Sequence, residues 1–173
     1  MKNNNKTTES SNIASKDIDT KSISDIISIF NGEDLKIIES IKESSADIEE
    51  IIKYVVSCLR NDGRLFYVGA GTSGRLGIMD AAECSPTFGV DKNIVQGIIA
   101  GGDIAAFESI EGAEDKTGEV LEIINNKMIG SDDIVIGISC SGTARFVLEF
   151  LKESKSKGSV TSLITFNDVD EIK

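Results

Sequence analysis

Apolar residues recur at helical spacing in the first third of the chain: Leu35, Ile38 and Ile41, then Ile48, Ile51, Ile52, Val55, Val56 and Leu59. Residues three and four apart share one helix face, so this spacing predicts amphipathic helices. Ser44 with Asp47 supplies a cap for the second helix, and Gly63 a stop signal after Arg60. From Arg64 the period changes. Leu65–Val68, Ile94–Ala100, Ile134–Ser139 and Val160–Phe166 are short, nearly continuous apolar runs, the pattern of strands buried on both faces. Helical stretches separate them: Arg75–Cys84, Ile104–Ile129 with a break around Gly112, and Ala144–Lys157. Strand–helix–strand alternation of this kind predicts an α/β fold, a parallel sheet flanked by helices with right-handed crossovers. N-terminal helices precede it.

Residues 1–20 carry no apolar period and are rich in Asn, Ser, Thr and Lys, which by composition predicts a flexible tail. The expected division is therefore a tail over 1–20, helices over 21–62 and the α/β domain over 63–173. A chain of 173 residues with 40% hydrophobic and 27% charged residues has enough material for one buried core. Its 18 basic and 29 acidic residues give a formal net charge of −11. Such a surface repels nucleic acid and anionic lipid, so neither is expected as a partner. No secretory or membrane-spanning pattern is visible, and the three cysteines lack metal-like spacing, which predicts a cytoplasmic protein. Histidine is absent altogether. That excludes Ser-His-Asp and Cys-His triads and histidine metal sites, and leaves acid–base chemistry to carboxylates, lysine, tyrosine or water.

Gly69, Gly71 and Gly74 form a G-x-G-x-x-G pattern between a predicted strand and a predicted helix. In a dinucleotide site an acid about 20 residues on, at the end of the next strand, holds the ribose. Here Asp91 falls before the next strand and Asp103 well after it. The same turn also suits a phosphate monoester: Thr72 and Ser73 place hydroxyls beside backbone N–H groups at a helix N-terminus, where the dipole favours an anion. Arg75 adds charge in this reading. The plainer alternative is a tight turn whose glycines serve packing alone. A second loop, Ser139-Cys140-Ser141-Gly142-Thr143, also brings hydroxyls to the end of a strand and the start of a helix. Two such loops from neighbouring strands converge on one ligand in an open parallel sheet. The remaining candidates are weak. Cys84 has no base beside it, and the acidic run Glu108, Glu111, Glu114, Asp115 lacks the spacing and turn glycine of a calcium loop.

Together with TTESSN near the start, DID at 17–19, GRLFYVGAGTSGRLGIMDAAECSPTFG at 63–89, QGIIAGG at 96–102 and EGAED at 111–115, these features resemble the sugar isomerase (SIS) domain. Within it the likeness is closer to the N-acetylmuramic acid 6-phosphate etherases. The resemblance implies an SIS-type three-layer sandwich that binds a small phosphosugar through Gly71, Thr72, Ser73, Ser139 and Ser141. It implies lyase chemistry: cleavage of the D-lactyl ether of N-acetylmuramic acid 6-phosphate to N-acetylglucosamine 6-phosphate and D-lactate, with no metal or organic cofactor. Glu114 would take the C2 proton. Glu83 would protonate the departing lactate and then activate water. Two carboxylates in different environments are the physical demand, and Cys84, Pro86 and Phe88 beside Glu83 suit a desolvated acid. The family's shared sites imply a homodimer, and its amino-terminal segment packs near the site.

Two departures stand out. Where the family continues Ser-Gly-Arg-Thr-Pro, this chain reads Ser141-Gly142-Thr143-Ala144-Arg145. The family also has a further strand and a helical carboxyl-terminal half beyond the position of Lys173, so the expected domain is incomplete. A non-catalytic sugar-phosphate-binding regulatory module and an inactive truncated fragment are therefore kept beside the lyase.

Overall fold

A computed structural model describes residues 7–167 of the chain. Two compact units divide it, Met1–Ile52 and Lys53–Lys173. In the first, short 3-10 turns at Thr7–Glu9, Ile13–Ser15 and Ile18–Thr20 occupy the stretch that composition marks as a flexible tail. Asn12 holds one of them: its side-chain oxygen accepts from the Ala14 N–H, and its amide donates to Glu33. Helix α1 (Ile23–Glu43) begins at Ser22, whose hydroxyl accepts from the Asp25 N–H. Helix α2 (Ser45–Arg60) follows after a single non-helical residue, and Ser44 contributes its carbonyl to Ile48 rather than a side-chain cap. No residue of either helix is buried. The apolar face predicted from Leu35, Ile38 and Ile41 is real but uncovered.

Helix α2 stops at Arg60, as the position of Gly63 predicts. A side chain at Gly63 would strike the Asp132 carbonyl, so glycine is required by close approach. Strands β1 (Leu65–Gly69), β2 (Val95–Ile99), β3 (Ile134–Ile138) and β4 (Val160–Ile164) form one parallel sheet in the order β2-β1-β3-β4. The register aligns Leu65 with Val95 and with Ile134, and Ile134 with Val160. Helix α3 (Gly71–Phe88) covers the Tyr67 face of the sheet, with Gly77 against the Tyr67 side chain. On the opposite face, α5 (Arg145–Ser156) lies over Gly137, alongside the short α4 (Val120–Asn126). Phe66, Val68 and Val135 from the sheet meet Val120, Ile124, Phe146, Val147 and Phe150 there to make the core. At β4 the expectation of burial on both faces fails, because it is an edge strand with Val160 and Ile164 exposed.

Two helix boundaries differ from the periodicity. Helix α3 runs through Pro86 to Phe88 instead of stopping at Cys84. Pro86 lacks the N–H that the Ala82 carbonyl would accept, and Ala82 is exposed, so that carbonyl is open to solvent. The segment Ile104–Ile129 breaks at Gly112 as expected, with a left-handed φ of 67°, but it is less helical than its periodicity predicts: a 3-10 turn at Asp103–Ala106 precedes the break, and a 3-10 turn at Ala113–Asp115 followed by α4 comes after it. Its apolar residues Ala105, Ala113, Val120 and Ile124 are nonetheless buried. Only their periodicity misleads, since turns and a helix supply them in alternation.

At the amino-terminal edge of the sheet, Asp133 (4% exposed) is held by four donors. The Arg64 N–H and Nε reach one carboxylate oxygen, and Arg64 Nη2 and the Gly130 N–H reach the other. Arg64 also donates to the Lys127 and Met128 carbonyls and lies over the Phe66 ring. This network closes the end of the sheet opposite the candidate site.

Candidate functional site

The chain enters the sheet at β1, crosses to β2 on one side, and returns past β1 to β3 on the other. The carboxyl ends of β1 and β3 therefore flank a topological switch point, where open α/β sheets bind ligands. The two loops singled out from the sequence leave these two strands. They touch: Ser73 Oγ and Cys140 Sγ are 3.9 Å apart.

The three glycines of the first loop divide by role. A Cβ at Gly69 would lie 2.5 Å from the Gly74 nitrogen, and one at Gly74 would lie 2.6 Å from Ile99 Cγ1, so these two let helix and strand close on each other. Gly71 is different, with a φ of +54° and open space around its Cβ position. Its left-handed φ supplies the turn from β1 into α3. The N-cap of α3 is Ala70, and that of α5 is Ala144; neither helix has a side-chain cap. Alanine is a poor cap, and the first-turn donors of both helices stay available to an anion. Thr72 is exposed and Ser73 half-buried beside them.

In the second loop, Ser139 is buried and Ser141 half-buried. The Ser141 and Thr143 hydroxyls lie 2.8 Å apart, and the Thr143 N–H donates to Ser141 Oγ. Bracing comes from beyond β4: the Phe166 N–H and Thr165 hydroxyl donate to the Cys140 carbonyl, and the Asn167 amide to the Ser141 carbonyl. No local sequence signal marks those contacts.

Arg75, expected to add charge to the first loop, is engaged by backbone carbonyls. Its guanidinium donates to the Ala106 and Glu108 carbonyls, at 3.1 and 2.8 Å, and ties the turn after β2 to the first turns of α3. Glu83 stands twelve residues along α3 from Gly71, about 18 Å at 1.5 Å per residue. Its surroundings are not desolvated within the chain, for Glu83 is exposed and Phe88 is 74% exposed. Glu114 is exposed on the 3-10 turn Ala113–Asp115, which buried Ala113 anchors in the core. Within one chain the structure gathers Gly71, Thr72, Ser73, Ser139 and Ser141 at the switch point and leaves Glu83 three turns away. Beneath α3, burial, then the charge and hydrogen bond of Asp80, push the Tyr67 phenol up to about 12. Burial and Asp80 also push the Cys84 thiol up, so it is not an activated nucleophile.

The family model described as the glucokinase regulatory protein N-terminal SIS domain matches residues 47–155. The chain belongs to this SIS-domain family. Its similarity to curated proteins extends over nearly all of its length. It is 45% identical over 163 residues to an N-acetylmuramic acid 6-phosphate etherase of Listeria monocytogenes serotype 4b, covering 94% of the chain and 55% of the relative. It is 40% identical over 165 residues to the protein of that name in Clostridium botulinum, covering 95% and 55%. The chain thus spans about half the length of these curated relatives. Among solved structures, the chain is similar to a phosphoheptose isomerase from Neisseria gonorrhoeae with a TM-score of 0.64 at 17% identity, over 83% of this chain and 75% of that one. One from Francisella tularensis gives 0.60 at 23% identity, over 84% and 75%. These likenesses establish the fold. Among the described residues no helix is long and apolar enough to cross a membrane.

Proposed function

We propose that the chain acts in the cytoplasm as a lyase on N-acetylmuramic acid 6-phosphate, releasing D-lactate in the recycling of cell-wall sugar. The observation that carries this reading is the pair of loops at the switch point, with two uncapped helix N-termini and four hydroxyls, in a chain 40–45% identical to proteins named for that reaction. The ester would sit on Gly71, Thr72, Ser73, Ser139 and Ser141. Opening of the sugar ring gives a C1 aldehyde that acidifies the C2 proton. Glu114 removes it, the C3–O bond breaks, and lactate leaves with a proton from Glu83. Water then adds at C3 with Glu83 as base, Glu114 returns its proton to C2, and the ring closes as N-acetylglucosamine 6-phosphate.

The 18 Å between Gly71 and Glu83 is longer than a hexose phosphate, which supports a homodimer in which Glu83 of one copy serves the loops of the other. Glu83 shares an exposed stripe of α3 with Leu76 and Met79, 51% and 59% exposed. Covering that stripe would exclude water from around Glu83. A second reading, a phosphosugar-sensing module without catalysis, draws support from the matched family model, which is that of a regulatory protein.

Incubation with N-acetylmuramic acid 6-phosphate and assay of D-lactate separates the two. Release that Glu83→Gln and Glu114→Gln abolish supports the lyase. Phosphosugar-dependent thermal stabilisation without lactate supports the sensing module. Absence of both sinks the two readings together.

A further inference from the structure

We propose that Arg145 is a phosphate-binding residue of this site, the cation that neutralises the bound ester from the second loop. The inference rests on the phosphosugar reading of the two loops and names the charge that reading lacks, since Arg75 is engaged with backbone carbonyls. Arg145 is the first residue of α5, two positions after Thr143 and four after Ser141. It is exposed, and among the described residues it forms no hydrogen bond or ion pair.

Its place contradicts helix electrostatics. The positive end of the dipole lies at the N-terminus, so a cation there is disfavoured and an acid is favoured. The other helices of the chain follow that rule. Asp25, Asp47 and Glu122 occupy the first turns of α1, α2 and α4, and Lys42, Arg60 and Lys155 the last turns of α1, α2 and α5. Among the α-helices of the described residues, α3 and α5 alone lack an acid in the first turn, and these two helices bound the switch point. In a chain of formal net charge −11, both are kept free of negative charge there, and one carries a cation instead. A bound phosphate reverses the sign of the penalty, because guanidinium and dipole then face the same anion. Reach is adequate: the Cα–Cβ bond of a helical residue leans toward the N-terminus, so a long side chain on the first residue extends over the preceding loop. An arginine fork there can donate two parallel N–H groups to phosphate oxygens.

Calorimetric titration of the 173-residue chain with N-acetylglucosamine 6-phosphate and with unphosphorylated N-acetylglucosamine tests this in wild type, Arg145→Ala and Arg145→Lys. The expected result is a loss of about ten- to a hundredfold in phosphosugar affinity for Arg145→Ala, with Arg145→Lys between. Ligand-free Arg145→Ala should melt no lower than wild type, which a structural role for the arginine would not give. Equal affinity of Arg145→Ala and wild type overturns the inference and leaves the phosphosugar reading standing. A wild-type chain that binds neither sugar overturns both.

Discussion

Replacing Gly74 by alanine adds one methyl group where helix α3 meets the sheet. The new carbon would lie 2.6 Å from Ile99 Cγ1 and 3.0 Å from both the carbonyl carbon and the oxygen of Gly69. Favourable carbon contacts begin near 3.5 Å, so one neighbour must retreat by half an ångström or more. The Gly69 atoms are backbone of a central strand, and Ile99 is a buried, β-branched residue. Neither yields easily. Overpacking of this kind costs about 1–3 kcal/mol, and the better helix propensity of alanine returns about 1 kcal/mol. With two backbone contacts among the three, the expected net loss is about 2 kcal/mol, a fall in melting temperature of roughly 4–8 °C. Gly32→Ala is the control. It sits inside α1 with nothing near its Cβ position, and the same change there should add up to about 1 kcal/mol to helix stability. Thermal melts followed by circular dichroism measure both. If Gly74→Ala melts at or above wild type, the close approach of α3 to β1 and β2 is not what requires glycine in this loop.

Asp133→Asn removes the charge that Arg64 and the Gly130 N–H share and leaves a half-buried guanidinium without its partner. Urea denaturation should show a loss of about 3 kcal/mol at unchanged slope; a loss below about 1 kcal/mol would refute the network's role. The Tyr67 phenol is raised to about 12 in the folded chain, so the folded state holds its proton more tightly than the unfolded state, whose value is near 10. That contribution is complete below pH 10 and is lost as pH rises toward 12. Denaturation midpoints taken at pH 9 and 11 should therefore fall more steeply for wild type than for Tyr67→Phe. Arg75→Ala frees the Ala106 and Glu108 carbonyls and should accelerate amide exchange over residues 103–110 by about tenfold, as expected on losing a charge-assisted hydrogen bond. Unchanged exchange there would show that the turn holds itself.

How legible the protein is from its sequence depends on whether a feature is set by neighbours along the chain or by neighbours across it. The change of period at Arg64 fixes the helices before it and the parallel strands after it, because side-chain periodicity reports which faces are buried. The glycine pattern at Gly69, Gly71 and Gly74 and the hydroxyls of Thr72, Ser73, Ser139 and Ser141 mark the loops of the candidate site, for the local chemistry of a strand-to-helix turn is written in consecutive residues. Gly112 marks the break within Ile104–Ile129 in advance, but apolar spacing does not tell the 3-10 turns on either side of it from α-helix. Only the tertiary structure decides what depends on long-range approach. It separates the packing glycines Gly69 and Gly74 from Gly71, diverts Arg75 to the turn after β2, and places the chain after β4 under the Cys140 loop. It also sets Glu83 on an exposed face of α3, far from its own loop. Strand order is the reason in each case. Sequence gives each strand and helix its faces, but the crossing of β1 between β2 and β3 determines which loops meet.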